Sequence, residues 1–398
     1  RWYTGPDAPV PAGGTAGLPE FRRPTEAGLS GGPVGEETAC PVVRDATGAW
    51  VLRRHEDVLA AALDPQRFSS RVSRHLNIPN GMDGEQHARY RKLVERYMSP
   101  ERTDRLEGRF REIARELVDS LPRDRPLDAV SGVGSRFAVR AQSAWLGWPA
   151  DAEESLLEWM DENRAAARSS SLEMSKAVAD RFDRIIRSLV EARRDPAGCP
   201  DTDVTAELIA ARIDGRPLTV EEIVSILRNW TAGDLGTIAA CIGVVIRRLT
   251  TDPALQVRWR DHRPEAADMN REIDELLRID DPFTVSRRVT TCPVSFGDQA
   301  IPAGARIRLD WAEANRDPEV VGDPEAFRPV ENAGHNLVYG IGPHVCPGRG
   351  LATLEIRVVV EELLARISLE PDPELEPVRA QAPQGGFESV PVRLRELA

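Results

Sequence analysis

Lysine is almost missing from this chain. Lys92 and Lys176 are the only two among 52 basic residues, so nearly all positive charge is arginine. That bias points to a GC-rich coding preference and carries little chemistry. Acidic residues number 64, and the net charge of −12 argues against nucleic acid as a partner. No run of eighteen or more apolar residues occurs, so no membrane span is expected. Arg1 to Gly35 is rich in Gly and Pro and lacks the apolar centre of a signal peptide. A cytoplasmic location is therefore the expectation. Cysteine is also scarce. Cys40, Cys199, Cys241, Cys292 and Cys346 are odd in number, widely spaced and free of any Cys-x-x-Cys pattern. A disulfide framework or a structural zinc site is not expected, which leaves Cys346 free to act as a thiolate.

What is present is mostly helical periodicity. The 398 residues are within reach of one large domain. Residues 1–40 read as an irregular arm and 41–398 as one catalytic unit, with no internal repeat, low-complexity tract or obvious linker. Helical patterns cover His55–Leu63, Glu85–Leu121 with a break at Ser99-Pro100, Ala129–Leu146, Ala152–Ser170 and Met174–Asp195. Phe68 to Asp83 and Pro196 to Asp203 read as loops. Thr219–Leu249 is the longest pattern, about 45 Å at 1.5 Å per residue. Thr219 and Glu222 are spaced as a capping box at its start. Asp268–Arg278 and Leu351–Ile367 are further helices. Val285–Val289, Val294–Phe296 and Arg306–Leu309 read as short strands.

The chemistry concentrates in Tyr339-Gly340-Ile341-Gly342-Pro343-His344-Val345-Cys346-Pro347-Gly348. It sets one cysteine in a glycine-rich loop, directly before a helix. A helix N-terminus and backbone N–H groups stabilise a thiolate. Glycine permits turns closed to other residues and close approach of a flat group. Elsewhere, Glu275 and Arg278 share a helix face and can pair. His87 and Arg91 put two cations on one face, suited to a carboxylate or phosphate. Gly233 and Gly236 interrupt the longest helical pattern, which suggests a kink or close approach to a ligand.

The cysteine stretch resembles the ligand loop of the cytochrome P-450 superfamily, Phe-Gly-x-Gly-x-His-x-Cys-x-Gly, and departs from it only at Tyr339. The resemblance runs from about Pro41 to the C-terminus. It implies a mainly α fold with small β-sheets, a triangular prism of helices with haem between the long helix and the cysteine loop. Haem b would be ligated by the thiolate of Cys346, with Tyr339, Gly340 and Gly348 shaping the loop. His344, His87, Arg91 and Arg288 would contact the haem propionates. Glu275 and Arg278 match a buried Glu-x-x-Arg pair that an arginine normally completes. Glu331 stands at that third position, with Arg328 and His335 as possible substitutes. Ala314–Pro318 and Phe327 match a further, structural stretch.

The family's Ala-Gly-x-acid-Thr segment corresponds to Ala232-Gly233-Asp234-Leu235-Gly236-Thr237. Without gaps, Leu235 holds the acid position and Gly236 the threonine position. Two readings stand: Gly233, Asp234 and Thr237 form a displaced proton relay, or the relay is absent. By the same resemblance, Arg71–Met82, Asn229–Gly233 and Phe283–Ser286 surround the pocket. Asn229, Trp230, Phe283 and Val285 are its candidate lining, with Arg71, Arg74 or His75 able to hold an acidic group. The short first loop favours a compact or aromatic substrate. No flavin or iron–sulfur motif is present, so electrons are expected from a ferredoxin and an NAD(P)H-dependent reductase. Arg96, Arg102, Arg105 and Arg349 are the candidate docking cations. The implied activity is monooxygenation with dioxygen by a monomer: hydroxylation, demethylation or coupling of a small hydrophobic or aromatic substrate. A peroxide-using or ring-coupling oxidase and a non-catalytic haem sensor are the alternatives.

Overall fold

The computed structural model describes residues 20–21, 42–73, 75–169, 171–193, 203–382 and 384–397. The expected arm 1–40 lies outside them except at Glu20–Phe21. That pair is not irregular: it forms a short strand parallel to Ser295–Phe296. It covers one edge of a hairpin that would otherwise present unpaired backbone groups. Arg74 and the loop 196–202 also lie outside the described residues.

The helices that position the site are α1 (His55–Ala62), α2 (Gly84–Glu95), α3 (Glu107–Ser120) and α4 (Arg136–Leu146). They continue with α5 (Ala152–Ser169), α6 (Leu172–Glu191), α7 (Val220–Thr251), α8 (Ala266–Ile279) and α9 (Arg349–Leu364). The capping box expected at α7 is made. Thr219 Oγ1 accepts from Glu222 N at 3.2 Å, and Glu222 returns a carboxylate to Thr219 N at 2.7 Å. Helix α7 is long and apolar enough to cross a membrane by composition alone. However, 61% of its apolar window is buried by α4, α6, α8 and α9, which marks a core helix.

The pattern over Ala129–Leu146 divides in two. Ala129–Ser135 is a π-helical segment, and α4 follows it. The cause is a close crossing with α7. A Cβ at Gly134 would sit 2.6 Å from Ala239 O, and one at Gly243 would sit 2.6 Å from Val130 Cγ2. The predicted break at Ser99-Pro100 is present. A 3₁₀ turn, Arg96–Met98, and a short helix, Pro100–Asp104, separate α2 from α3.

Beside this helical body lies a five-stranded sheet of β1 (Val42–Arg44), β2 (Trp50–Leu52), β3 (Phe68–Ser69), β4 (Val285–Thr290) and β5 (Arg306–Asp310), in the order β1-β2-β5-β4-β3. Strand β3 falls where a loop was expected; Phe68 pairs with Thr290 and buries its ring against Phe296. Phe68, Leu52, Ile307 and Trp311 anchor a second apolar core, separate from the one around α7. Ile367 belongs to a strand rather than to α9.

The stretch between β3 and α2 is sewn onto α7. Ser225 Oγ donates to Leu76 O and accepts from Ile78 N, both at 3.0 Å. Arg228 donates to Leu76 O, and Asn229 Nδ2 donates to Ile78 O at 2.7 Å. Ile78 is fully buried.

Candidate active site

The cysteine loop is shaped by two left-handed glycines, Gly340 (φ 68°) and Gly342 (φ 73°). At Gly342 a Cβ would also crowd Leu63 and Ala62 O at 3.0–3.1 Å. The loop closes when Cys346 N donates to Tyr339 O at 2.8 Å. Helix α9 begins three residues later. Burial raises the Cys346 thiol above its usual range, while the Gly348 N–H, Arg91 and Arg349 pull against that rise. Arg91, the expected propionate contact, engages protein groups through Nε and Nη1. Its guanidinium holds Val345 O at 2.5 Å and pairs with Glu95 at 2.6 Å, which fastens the loop to α2.

Beside the loop the imidazoles of His87 and His344 lie 4.2 Å apart. Ser70 Oγ meets His344 Nε2 at 3.0 Å. Burial would raise Asp83, but bonds to His344, Ser69 and Ser70 outweigh it and bring its carboxyl down to about 2. Burial, then His344 and Arg91, lower His87 to about 4, and its Nε2 is buried without a partner. Arg288 is 8% exposed and spends one N–H on Arg287 O. Burial lowers it to about 10, and among the described residues it has no carboxylate within ion-pair distance. A buried guanidinium without an anion is costly. An acidic group bound beside Arg288 would offset that cost. A Cβ on Gly348 would stand 3.9 Å from Cys346 Sγ, so the missing side chain leaves the sulfur's flank clear. The loop, the free sulfur, the buried Arg288 guanidinium and the unpartnered His87 Nε2 fit a flat, sulfur-ligated, anionic group, which is what haem is.

Helix α7 runs unbroken through its glycines, and a Cβ on Gly233 or Gly236 would meet nothing within 4 Å. The expected kink is absent, and the space beside both glycines is open. Instead Asn229, Ala232, Gly233, Gly236, Thr237 and Ala240 form an accessible stripe at helical spacing. Thr237 therefore faces the open side. Asp234 sits at the edge of the stripe with Oδ2 buried and unpartnered.

Trp230 is a correction. It is 6% exposed and packs between Tyr97 and Trp145, at centroid distances of 5.5 and 5.1 Å. It is a core residue, because its helical position turns toward α4. Asn229 reaches the stripe but spends its amide N–H on Ile78 O. Phe283 and Val285 remain partly accessible at the start of β4.

Glu275 and Arg278 are buried to 1% and 0% exposure, with Nε–Oε2 at 2.8 Å. Neither Glu331 nor His335 completes the group; both are exposed. The third partner is Asn332, whose Nδ2 donates to Glu275 Oε1 at 2.7 Å, joined by Arg328 N at 3.0 Å. Sequence reasoning missed Asn332. An asparagine one position past the expected arginine was the available signal. It also missed Glu355 on α9. That residue is fully buried, neither carboxylate oxygen has a partner, and burial followed by Asp234 raises its pKa well above normal.

On the outer side of the loop, Arg349 pairs with Asp274 at 2.7 Å and lies 5.2 Å from the centroid of the Tyr339 ring. A cavity of about 410 Å³ opens beside it, lined in part by Asp274, Asn336 and Thr353. Arg102 is tied to Glu207.

The family model for cytochrome P-450 matches residues 164–394. The chain is 28% identical over 343 residues to the cyclomarin C epoxidase CymV of Salinispora arenicola, covering 82% of this chain and 86% of that one. It is equally identical to the erythromycin C-12 hydroxylase of Saccharopolyspora erythraea, covering 82% and 84%. Among solved structures, a mutant of EryK in complex with erythromycin B superposes with a TM-score of 0.79 at 27% identity, covering 90% of this chain and 95% of that one. The himastatin post-tailoring hydroxylase HmtN gives 0.78 at 27% identity, with the same coverage. With the family model spanning more than half of the chain and the cysteine loop, helices and sheet in matching order, the chain belongs to the cytochrome P-450 family.

Proposed function

We propose that this monooxygenase binds haem through Cys346 and oxidises an organic substrate of secondary metabolism, by hydroxylation or epoxidation. The observation that carries this is the free cysteine loop, together with the buried Arg288 guanidinium that no carboxylate meets and the unpartnered Nε2 of His87. Relatives named for cyclomarin and erythromycin tailoring support the substrate class. When bound, haem supplies the oxidising chemistry that inserts one atom of dioxygen into the substrate. Arg288 and His87 hold its acidic groups, with His344 beside them. The α7 stripe keeps side chains short where dioxygen and substrate must fit. The stretch sewn to α7 near Leu76, together with Phe283 and Val285, bounds the substrate in this reading. A compact or aromatic-containing molecule suits such a boundary.

The test is an optical titration of the ferric protein with small phenols, cyclic dipeptides and macrolides. A high-spin Soret shift confined to compact ligands is expected. A response only to large scaffolds would reject the compact pocket. No response to any of them, in a protein without a thiolate-type carbon monoxide spectrum, would reject the haem-thiolate reading.

Electrons come, in this reading, from a cytoplasmic ferredoxin and its NAD(P)H-dependent reductase. Such donors are acidic, and Arg349 is the exposed cation nearest the cysteine loop in sequence. Charge reversal at Arg349 is expected to slow ferredoxin-driven reduction about tenfold while leaving dithionite reduction unchanged. Stopped-flow reduction with each donor checks this; equal slowing by both would remove Arg349 from the docking face.

A further inference from the structure

We propose that Ser70 and Asp83 are positioning residues for the cofactor. Asp83 fixes Ser70, and the Ser70 hydroxyl fixes the His344 imidazole, so that Nδ1 is left to meet an acidic group of haem. This rests on the haem-thiolate reading and adds two residues behind the contacts expected from sequence. The start of α2 carries the anomaly. Asp83 stands at its N-cap position, yet the carboxylate makes no bond to the helix. Asp128, Asp203, Asp252, Asp310 and Asp317 stand at equivalent positions, and each accepts from a backbone N–H of the segment it opens. That is the ordinary use of an aspartate there. Asp83 turns instead toward β3. Its Oδ1 accepts from Ser70 N at 2.9 Å, and its Oδ2 accepts from Ser69 Oγ at 2.5 Å. Gly84 follows at φ 57°, a left-handed turn that glycine allows between that carboxylate and the helix.

Ser70 is 2% exposed and lies directly after β3. Its N–H is held by Asp83, so its hydroxyl starts from a fixed backbone. That hydroxyl meets His344 Nε2 at 3.0 Å. Asp83 Oδ1 lies farther from the same nitrogen, at 3.9 Å, which makes Ser70 the closer link. Arg71 Nε stands 3.7 Å from Asp83 Oδ2 on the exposed side. Among the described residues no hydrogen bond engages His344 Nδ1. A partner at one imidazole nitrogen sets the proton and the orientation at the other. A hydroxyl donates to a neutral ring and accepts from a charged one, so Nδ1 keeps a hydrogen in both cases. An anion then finds a donor there. The His87 ring lies 4.2 Å away, so a swing of His344 would disturb both rings.

A plainer role is available to the same residues. Ser69, Ser70 and Asp83 tie β3 to α2 whether or not His344 is present. The two roles separate when His344 is removed, because positioning through a ring needs the ring.

Haem-loaded wild type, Ser70→Ala, His344→Ala and the double variant are compared by the rate at which excess apomyoglobin strips their haem. Each single variant should lose haem about tenfold faster than wild type, with the thiolate-type carbon monoxide spectrum unchanged at the start. The double variant should lose it no faster than His344→Ala alone. Independent effects, which multiply to about a hundredfold, would reduce Ser70 to a structural tie and overturn the proposal. Asp83→Asn keeps an acceptor for Ser70 N and should retain haem better than Asp83→Ala; equal loss would overturn the part given to Asp83. Nitrogen NMR of isotope-labelled histidines in the ferrous carbon monoxide form gives a readout free of haem loss. The His344 signal, identified by its disappearance in His344→Ala, should show hydrogen on Nδ1. A bare Nδ1 in wild type overturns the proposal even if Ser70→Ala fails to fold. A wild type without the thiolate-type spectrum would instead overturn the haem-thiolate reading, and the proposal with it.

Discussion

Arg278→Met is expected to destabilise the protein by about 3–5 kcal/mol, the cost of stranding a buried charge. Arg278 grips Glu275 through Nε and Nη2, and reaches Asn315 O, Pro324 O and Ala326 O as well. Without it, the Glu275 carboxylate keeps only the Asn332 amide and the Arg328 N–H. Three backbone carbonyls of the segment leading to the cysteine loop lose their donor at the same time. Lysine cannot substitute, because a point charge does not reproduce a planar fork serving five acceptor oxygens. Denaturant titration of both proteins, alongside haem content per chain, checks the prediction. A loss below about 1 kcal/mol would put the pair among weak surface bridges, contrary to its burial.

Cys346→Ala is expected to abolish the thiolate-type carbon monoxide spectrum. Turnover should fall by more than about 10³-fold, or roughly 4 kcal/mol of barrier. The fold should survive, because Tyr339 O still receives the backbone N–H of position 346. Arg288 and His87 should still retain some haem through its acidic groups. A variant that kept both the spectrum and the rate would move the ligand elsewhere. Among the described residues Cys241 and Cys292 are the other free thiols. Cys241 is buried on α7, and burial holds its thiol well above the ordinary range.

What the sequence made legible was what short-range chemistry dictates. The capping box of α7, the break at Ser99-Pro100 and the glycine turns of the cysteine loop each depend on a few neighbouring residues. The Glu275–Arg278 pair was legible for the same reason, three residues apart on one helix. Its third partner was not, because Asn332 meets Glu275 only after 57 residues of chain have folded back. Trp230 was misplaced because helical position alone does not say which side α4 will occupy. The π segment at Ala129–Ser135 arises from contact with Ala239 on another helix, so local pattern could not announce it. Nothing local to Glu355 marks its burial; only the packing of α9 against α7 reveals that its carboxyl is enclosed.

The stitching of Leu76 and Ile78 to Ser225, Arg228 and Asn229 sets where this enzyme can diversify. Those bonds make the stretch that the proposed reading sets beside the substrate part of the fold's own integrity. Altering that stretch to admit a new molecule would be penalised at once as lost stability. Phe283 and Val285 are only partly enclosed, and neither is bonded to α7 through a side chain of that helix in the way Leu76 and Ile78 are. Adaptation to new substrates, natural or in the laboratory, should therefore accumulate on their side first.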